Sequence, residues 1–206
     1  MSVHDHSGIE SGKPLVVFAG RSNVGKSSVI RALTGIRVRV GKKPGSTHTE
    51  QIIDLGNVLF VDIPGFGHMS GRSKKRIDHT KTRIVRNLEK WSDQIALSVL
   101  IIDIAIFREL VERWEKRGEI PVDIEFYSFL SEISPKVIVA ANKIDKVSPR
   151  KRDEEIAFLY HKLHEAVPAQ MPHIVAMSAR KKEGVGELKR AIQESLQQRG
   201  FKLPIW

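Results

Sequence analysis

A phosphate-binding loop is the feature that most constrains how this chain can fold. The motif G-x-x-x-x-G-K-S occupies residues 20–27, between the apolar run 15–19 and the helical pattern of residues 28–33. A glycine-permitted turn of this kind points successive backbone N–H groups inward, where they bind phosphate oxygens. Lys26 adds a positive charge, and the Ser27 hydroxyl is a suitable Mg²⁺ ligand. The order strand, loop, helix therefore predicts a buried parallel strand that ends at a phosphate site. The predicted phosphate contacts are Gly20, Arg21, Ser22, Asn23, Val24, Gly25, Lys26, Ser27 and Ser28.

A second apolar run, residues 58–62, ends in an acidic residue. Asp62 is followed by Ile63, Pro64 and Gly65. A carboxylate at such a strand end can hold the Mg²⁺ shell, directly or through water. The Gly65 N–H is a candidate contact for a γ-phosphate. These four residues are predicted to join the same site.

The motif N-K-x-D follows a third apolar run, residues 136–141, and comprises Asn142, Lys143 and Asp145. The Asp145 carboxylate only accepts hydrogen bonds, so it can take both the ring N1–H and the exocyclic amine of guanine. Adenine offers neither donor at these positions, so the carboxylate would be left unpaired. The motif therefore predicts a guanine nucleotide.

The last apolar run, residues 173–177, ends at Met177 and leads into Ser178 and Ala179, and these three residues are predicted to lie at the base. A backbone N–H in this segment can meet the guanine O6. Each short motif is common alone, but four in this order, each at a strand end, are specific for nucleotide binding.

The length of 206 residues favours one domain, and the chain has no cysteine, which excludes disulfides and thiol chemistry. The apolar stretch 95–107 is too short to span a bilayer and contains Asp103. We expect a cytoplasmic monomer without stable membrane insertion. Residues 1–12 are predicted as a flexible terminus, 13–200 as the domain and 201–206 as a tail that either docks on the core or contacts a partner.

The charge of the chain suggests a polyanionic partner. The formal net charge is +10, and the sequence pI is about 9.9. RNA and an acidic membrane surface are the candidates, and a merely solvated basic face is the alternative. The basic clusters are Arg37, Arg39, Lys42 and Lys43; Arg72, Lys74, Lys75 and Arg76; Lys81, Arg83 and Arg86; and Arg180, Lys181 and Lys182.

Alternating apolar and helical patterns predict an α/β fold. Gly56-Asn57 makes a tight turn between two of the strands, so these should form an antiparallel hairpin. The others favour a mostly parallel six-stranded sheet with one antiparallel edge strand and helices on both faces, with ligands at the carboxyl ends of the strands. The predicted strands are 15–19, 51–55, 58–62, 96–103, 136–141 and 173–177, with helices at 28–33, 108–114, 121–130, 150–167 and 187–198.

Two glycine-rich, basic segments, residues 35–50 and 64–79, lack a clear regular pattern. Both flank the predicted γ-phosphate position, and we interpret them as switch loops that order around Mg²⁺ and the γ-phosphate. Plain surface loops are the alternative. In the first segment the candidate nucleotide contacts are Gly45, Ser46 and Thr47, with Thr47 as the Mg²⁺ ligand and Thr49 as the alternative ligand.

Taken together, these motifs resemble the translation-factor-related P-loop GTPases, and among them the EngB family of ribosome-assembly GTP-binding proteins. The resemblance covers the chain from about residue 13. It implies Mg²⁺-dependent hydrolysis of GTP to GDP and phosphate, in a switch that acts on ribosomal RNA or the pre-ribosomal large subunit. The stretch 104–130 is longer than in bacterial members, which also have Thr at the position of Asn142. Both departures point to an archaeal member. The motifs that carry the resemblance are residues 20–28, 43–47, 62–67, 142–145 and 178–179.

The catalytic candidates are Lys26, Thr47 and Gly65. Phe66 stands where Ras-like enzymes have a glutamine that orients the attacking water. We therefore expect slow intrinsic hydrolysis, stimulated by a partner or by K⁺ held near Asn23. A nucleotide-gated RNA-binding module with negligible turnover and a membrane-associated GTPase are the alternatives.

Overall fold

The computed structural model of the protein describes residues 3–4, 9, 12–36, 50–65 and 74–206. The predicted contacts Gly45, Ser46, Thr47, Thr49 and Phe66 lie outside these residues.

Within the described ranges, a seven-stranded sheet with the order β1-β3-β4-β2-β5-β6-β7 forms the centre of the molecule. Strands β4, β2, β5, β6 and β7 run parallel, whereas β3 is antiparallel to β4 and β1 is antiparallel to β3. All six predicted strands are confirmed, each to within one residue at either end. The strands are β1 (Val3–His4), β2 (Leu15–Gly20), β3 (Gln51–Asp54), β4 (Leu59–Asp62), β5 (Ile95–Asp103), β6 (Val137–Asn142) and β7 (His173–Ala176).

The short strand β1 was not predicted. Val3 and His4 pair with Ile53 and Ile52, and Ile9 is buried in the core. The sequence pattern did not predict this pairing, because the free edge of β3 offers backbone partners that a polar pattern does not reveal.

Six α-helices accompany the sheet among the described residues. The predicted helices are confirmed, but α2 begins at Lys74, within the segment 64–79 that was predicted to be irregular. Lysine and arginine are the commonest residues of this helix and apolar residues are few, so the sequence resembles a charged loop, although Ile84 and Leu88 lie four residues apart and face the core. The helices are α1 (Lys26–Thr34), α2 (Lys74–Lys90), α3 (Phe107–Glu115), α4 (Val122–Ile133), α5 (Arg152–Ala166) and α6 (Val185–Gln198).

The sheet separates two hydrophobic cores, as the alternation of side chains along a strand requires. Leu15 and Val17 of β2 face the core covered by α2, α3, α4 and α5, whereas Val16 and Phe18 face the core covered by α1 and α6. The three-layer arrangement is thereby confirmed. No helix of the described ranges is long and apolar enough to cross a membrane.

The C-terminal tail belongs to the second of these cores. The Ile205 N–H donates to the Leu55 carbonyl at 2.9 Å, and the Asn57 side chain donates to the Leu203 carbonyl at 3.0 Å. The Trp206 ring meets Phe60 edge-to-face, with 5.3 Å between centroids. Of the two alternatives for the tail, the structure therefore shows docking, against the β3–β4 hairpin.

Candidate nucleotide-binding site

The phosphate-binding loop, the P-loop, leaves β2 between two parallel neighbours. Asn23 and Gly25 adopt positive φ angles of 69° and 96°, which turn the backbone sharply before α1 begins at Lys26. At Gly20 a Cβ atom would lie 2.6 Å from the carbonyl oxygen of Ile101 on β5, so glycine is needed for the close approach. The Val29 N–H donates to the Gly25 carbonyl at 2.9 Å, which leaves the N–H groups of the first helical turn open to a phosphate.

On the β4 side of the loop lies a cluster of three functional groups, Lys26, Ser27 and Asp62. The Lys26 ammonium donates to Asp62 Oδ1, and Ser27 Oγ donates to Asp62 Oδ2 at 3.4 Å. Lys26 is 8% exposed and Asp62 1% exposed. The Ser27 hydroxyl and the Asp62 carboxylate are hard oxygen ligands on adjacent elements, so this pair fits Mg²⁺. We refer to these three residues as the β4-side cluster.

The segment after β4 passes directly against the loop. A Cβ atom on Gly65 would lie 2.9 Å from the Ser22 backbone nitrogen, so only glycine fits there. Ser22 Oγ also donates to the Gly65 carbonyl at 3.5 Å. These interactions place Gly65, the residue predicted to contact the γ-phosphate, beside the P-loop backbone.

Asn142, at the end of β6, joins three segments of the site. Its Nδ2 donates to the Val24 carbonyl at 2.8 Å, and its Oδ1 accepts the Ala179 N–H at 3.0 Å. The side chain is buried, and a Cβ atom on Gly25 would collide with it. The P-loop and the segment after β7 are therefore held at a fixed separation by one amide.

The neighbouring Lys143 has a left-handed backbone, with φ at 68°. Its ammonium donates to the Asn23 carbonyl at 2.6 Å and pairs with Asp103 Oδ2 at 2.5 Å. It thus connects the N-K-x-D segment to the P-loop and to the end of β5.

The predicted base-reading group, Asp145, lies at the rim of a cavity of about 750 Å³. A hydrogen bond from the buried Ser178 side chain is the main reason that the pKa of Asp145 is lowered, so this half-buried carboxylate is ionised at neutral pH. Met177 is fixed against the same segment, because its N–H donates to Ala141 and its carbonyl accepts from Ile144. The cavity is lined by Gly25, Ser28, Arg31, Ala32, Gly35, Asn142, Lys143, Asp145, Lys146, Ser178, Ala179, Arg180 and Lys182.

The four sequence motifs thus meet at one edge of the sheet. The register explains why, since Phe18 pairs with Asp62, Gly20 with Ile101, and Asp103 with Asn142. This edge contains the residues of the phosphate site. It also contains Ile63, Pro64, Gly65, Asn142 to Asp145 and Met177 to Ala179.

Sequence reasoning missed a pair of acidic residues on the β5 side of the loop. Arg21 Nη1 lies 3.6 Å from Asp123 Oδ2, and Asp103 pairs with Lys143. Burial raises the pKa of Asp123 to about 6, against the opposing effect of Arg21. The position of Asp103 at the end of the central strand could have indicated a role, but nothing local marked Asp123. We refer to Arg21, Asp103, Asp123 and Lys143 as the β5-side cluster.

Comparisons with known proteins agree with this geometry. The family described as "50S ribosome-binding GTPase" matches residues 15–143. The chain is 42% identical over 186 residues to the probable GTP-binding protein EngB of Archaeoglobus fulgidus, covering 88% of this chain and 91% of that protein. It is 42% identical over 193 residues to the protein of the same description from Methanopyrus kandleri, covering 91% and 95%.

The chain belongs to the EngB family of GTP-binding proteins. A crystal structure of a probable EngB protein superposes with a TM-score of 0.79 at 38% identity, covering 89% of this chain and 99% of the other. Era in complex with MgGDPNP and nucleotides 1506–1542 of 16S ribosomal RNA superposes with a TM-score of 0.64 at 26% identity, covering 88% of this chain and 56% of Era. This EngB-family chain is therefore a GTPase that binds guanine nucleotide with Mg²⁺, and these two curated relatives are archaeal, as the sequence suggested.

Proposed function

We propose that this EngB-family GTPase is a nucleotide-dependent switch in the assembly of the large ribosomal subunit. The observation that carries the proposal is the match to a family described as 50S ribosome-binding over residues 15–143, which include most of the nucleotide site. In this role the protein would be a cytoplasmic monomer that binds ribosomal RNA or the pre-ribosomal large subunit. The structural similarity to an RNA-bound GTPase supports an RNA contact.

Surface charge supports the same partner. The net charge of +10 is suited to a polyanion, and basic side chains are exposed near the nucleotide site and on α2. Arg180 and Lys182 are exposed and line the base cavity, Lys181 is exposed between them, and Arg86 and Lys90 are exposed on α2. Because the basic groups at residues 180–182 lie beside the site, nucleotide exchange can change how an RNA contacts them.

Within the site we assign the phosphates to the P-loop N–H groups and Lys26, and the Mg²⁺ to Ser27, Asp62 and Thr47. Mg²⁺ and the Lys26 ammonium would offset the charge that develops on the γ-phosphoryl group. The Gly65 N–H is assigned to the γ-phosphate, and the Asp145 carboxylate to the guanine ring. The ionised state of Asp145 supports the last assignment, because a carboxylate accepts both guanine donors.

We further propose that intrinsic hydrolysis is slow and is stimulated by the ribosomal partner or by K⁺ near Asn23. The side chain of Phe66 has no group that could orient a water molecule, so another group must supply this function. Multiple-turnover hydrolysis in KCl and in NaCl at equal ionic strength tests the potassium proposal. Equal rates in the two salts would remove it.

Co-sedimentation with purified large and small ribosomal subunits tests the main proposal. We expect binding to the large subunit with a non-hydrolysable GTP analogue and weaker binding with GDP. Arg86→Glu with Lys90→Glu should weaken binding, whereas Lys116→Glu with Arg117→Glu, an equal charge change at exposed residues after α3, should not. No preference for either subunit in either nucleotide state would contradict the proposal.

Single-turnover hydrolysis with and without large subunits separates a switch enzyme from a binding module. A stimulated rate supports the switch. Subunit binding with no phosphate release under either condition would favour the nucleotide-gated module.

A further inference from the structure

The β5-side cluster connects the P-loop to two elements that do not contact phosphate themselves. Arg21 extends to Asp123 near the start of α4, and Lys143 bridges Asp103 on β5 and the Asn23 carbonyl in the loop. Two cations thus hold the loop: Arg21 is its second residue, and Lys143 binds the carbonyl of its fourth residue, Asn23. Each cation is in turn paired with a carboxylate of the scaffold.

Each of the two carboxylates keeps one oxygen without a partner among the described residues. Asp103 Oδ1 and Asp123 Oδ1 are buried and make no hydrogen bond within this part of the chain, and their residues are only 8% and 4% exposed. The two carboxylates line a cavity of about 100 Å³ together with Ser22 and Asn23 of the loop. Such a volume holds about three water molecules, which could hydrogen-bond the two oxygens.

The charges in this cavity do not suit a metal ion. Two carboxylates already face two cations, Arg21 and Lys143, so the cluster is balanced as it stands. A further cation would compete with both. The cluster is therefore better suited to holding the loop than to binding a ligand.

Retaining an ionised Asp123 in this place lowers the stability of the fold. Burial raises its pKa to about 6, so the folded state favours the neutral form while neutral pH removes the proton. A buried charge that lowers stability is frequently retained for function. Here the charged form is the one that attracts Arg21.

We propose that Asp103 and Asp123 are positioning residues that hold the P-loop in its phosphate-binding shape, acting through Lys143 and Arg21. Neither residue touches the nucleotide. Because the loop backbone binds the phosphates that GDP and GTP share, loosening it should speed the release of both nucleotides by the same factor. A contact specific to the γ-phosphate would instead change their ratio.

The test is the release rate of fluorescently labelled GDP and of a labelled non-hydrolysable GTP analogue from the full chain in Mg²⁺ buffer. Asp123→Asn and Asp103→Asn should each speed release about tenfold, because the amide keeps an acceptor oxygen but loses the negative charge that attracts Arg21 or Lys143. The matched control is Glu155→Gln, which breaks the Arg108–Glu155 pair at 3.0 Å between α3 and α5, away from the loop. The control should release both nucleotides at the wild-type rate.

A double-mutant cycle shows whether the effect passes through Arg21. Arg21→Gln retains the backbone N–H of the loop, and combined with Asp123→Asn it should release GDP no faster than either single variant. Release within about twofold of wild type in both aspartate variants, with or without a lowered melting temperature, would overturn the proposal.

The wild-type protein supplies an independent measurement if Asp123→Asn does not fold. The charged groups around Asp123 are Arg21 of the P-loop and Asp103 of β5, with Lys143 beyond Asp103. Lowering the pH through about 6 protonates Asp123, weakens its attraction for Arg21 and should speed GDP release several-fold. Asp145 remains ionised in this range because its pKa is lowered. A release rate that does not rise as the pH falls would overturn the proposal.

Discussion

The two clusters that flank the P-loop contain the same kinds of group but meet different demands. On the β4 side, Lys26 and Ser27 both reach the single carboxylate of Asp62, and all three belong to motifs of nucleotide-binding proteins. On the β5 side, two cations meet two carboxylates around a cavity of about 100 Å³. The first arrangement can exchange its partners for Mg²⁺ and phosphate, whereas the second is balanced internally.

This difference explains why sequence motifs predict the β4-side cluster but not the β5-side cluster. Groups that bind a common ligand must keep a fixed spacing along the chain, because the ligand fixes their geometry. Groups that only support the loop need no fixed spacing in the sequence and can come from any element that packs beside it. Asp123 does so from α4, about 100 residues after the loop it contacts.

The largest effect is expected on the β4 side. Lys26→Ala should lower GTP affinity about 1,000-fold, because it removes the ammonium group from the phosphate site and leaves Asp62 buried without its cation. Calorimetric titration with GTP in Mg²⁺ buffer measures it. The control Lys13→Ala breaks the Lys13–Asp54 pair at 2.8 Å and should bind normally. An affinity that stays within about tenfold of wild type would show that the two sides of the loop do not differ as proposed.

The base pocket should be separable from both clusters. Asp145→Asn is expected to lower GTP affinity about 100-fold and to shift preference toward xanthine nucleotides, because an amide presents a donor where guanine also donates. Competition between GTP and XTP for a labelled nucleotide gives the preference. The exposed Asp93→Asn serves as the control. Unchanged GTP affinity would mean that the base lies elsewhere.

A smaller effect concerns stability on the β5 side. The pKa of Asp123 is raised from 3.8 to about 6 in the folded state. The folded state therefore binds the proton more tightly than the unfolded state. Stability from this group is greatest in acid and is lost as the pH rises through about 6.

Asp123→Asn removes this titration. The unfolding free energy of wild type minus that of the variant should therefore fall by about 2 kcal/mol from about pH 4.5 to about pH 7.5. Urea unfolding at several pH values measures it, with Asp93→Asn as the reference. A difference that is constant with pH, or rises with it, would contradict the buried state of Asp123.

The smallest effect is expected far from both clusters, in the tail. Trp206→Ala removes the contact with Phe60 and the cation–π contact with Lys189, whose ammonium lies 4.7 Å from the ring centroid. We expect a loss of about 1.5 kcal/mol of unfolding free energy, less than for a fully buried tryptophan. GDP release should not change. A changed release rate would show that the tail acts on the nucleotide site.

Six strands and the location of the site could be predicted because buried parallel strands are continuous apolar runs and ligands bind at their carboxyl ends. The short strand β1 and the start of α2 were missed for different reasons. Two residues at a sheet edge have no periodicity, and a helix rich in lysine and arginine has few apolar residues to distinguish it from a charged loop.

The sequence alone determined the class of fold, the guanine nucleotide and most residues around it, because local spacing encodes a geometry that a phosphate or a purine imposes. Only the tertiary structure decided that Asn142 joins the P-loop to the Ala179 segment, that the tail docks on the β3–β4 hairpin, and that Asp123 meets Arg21. These contacts join elements distant along the chain, and their partners become neighbours only after the sheet has aligned its strand ends.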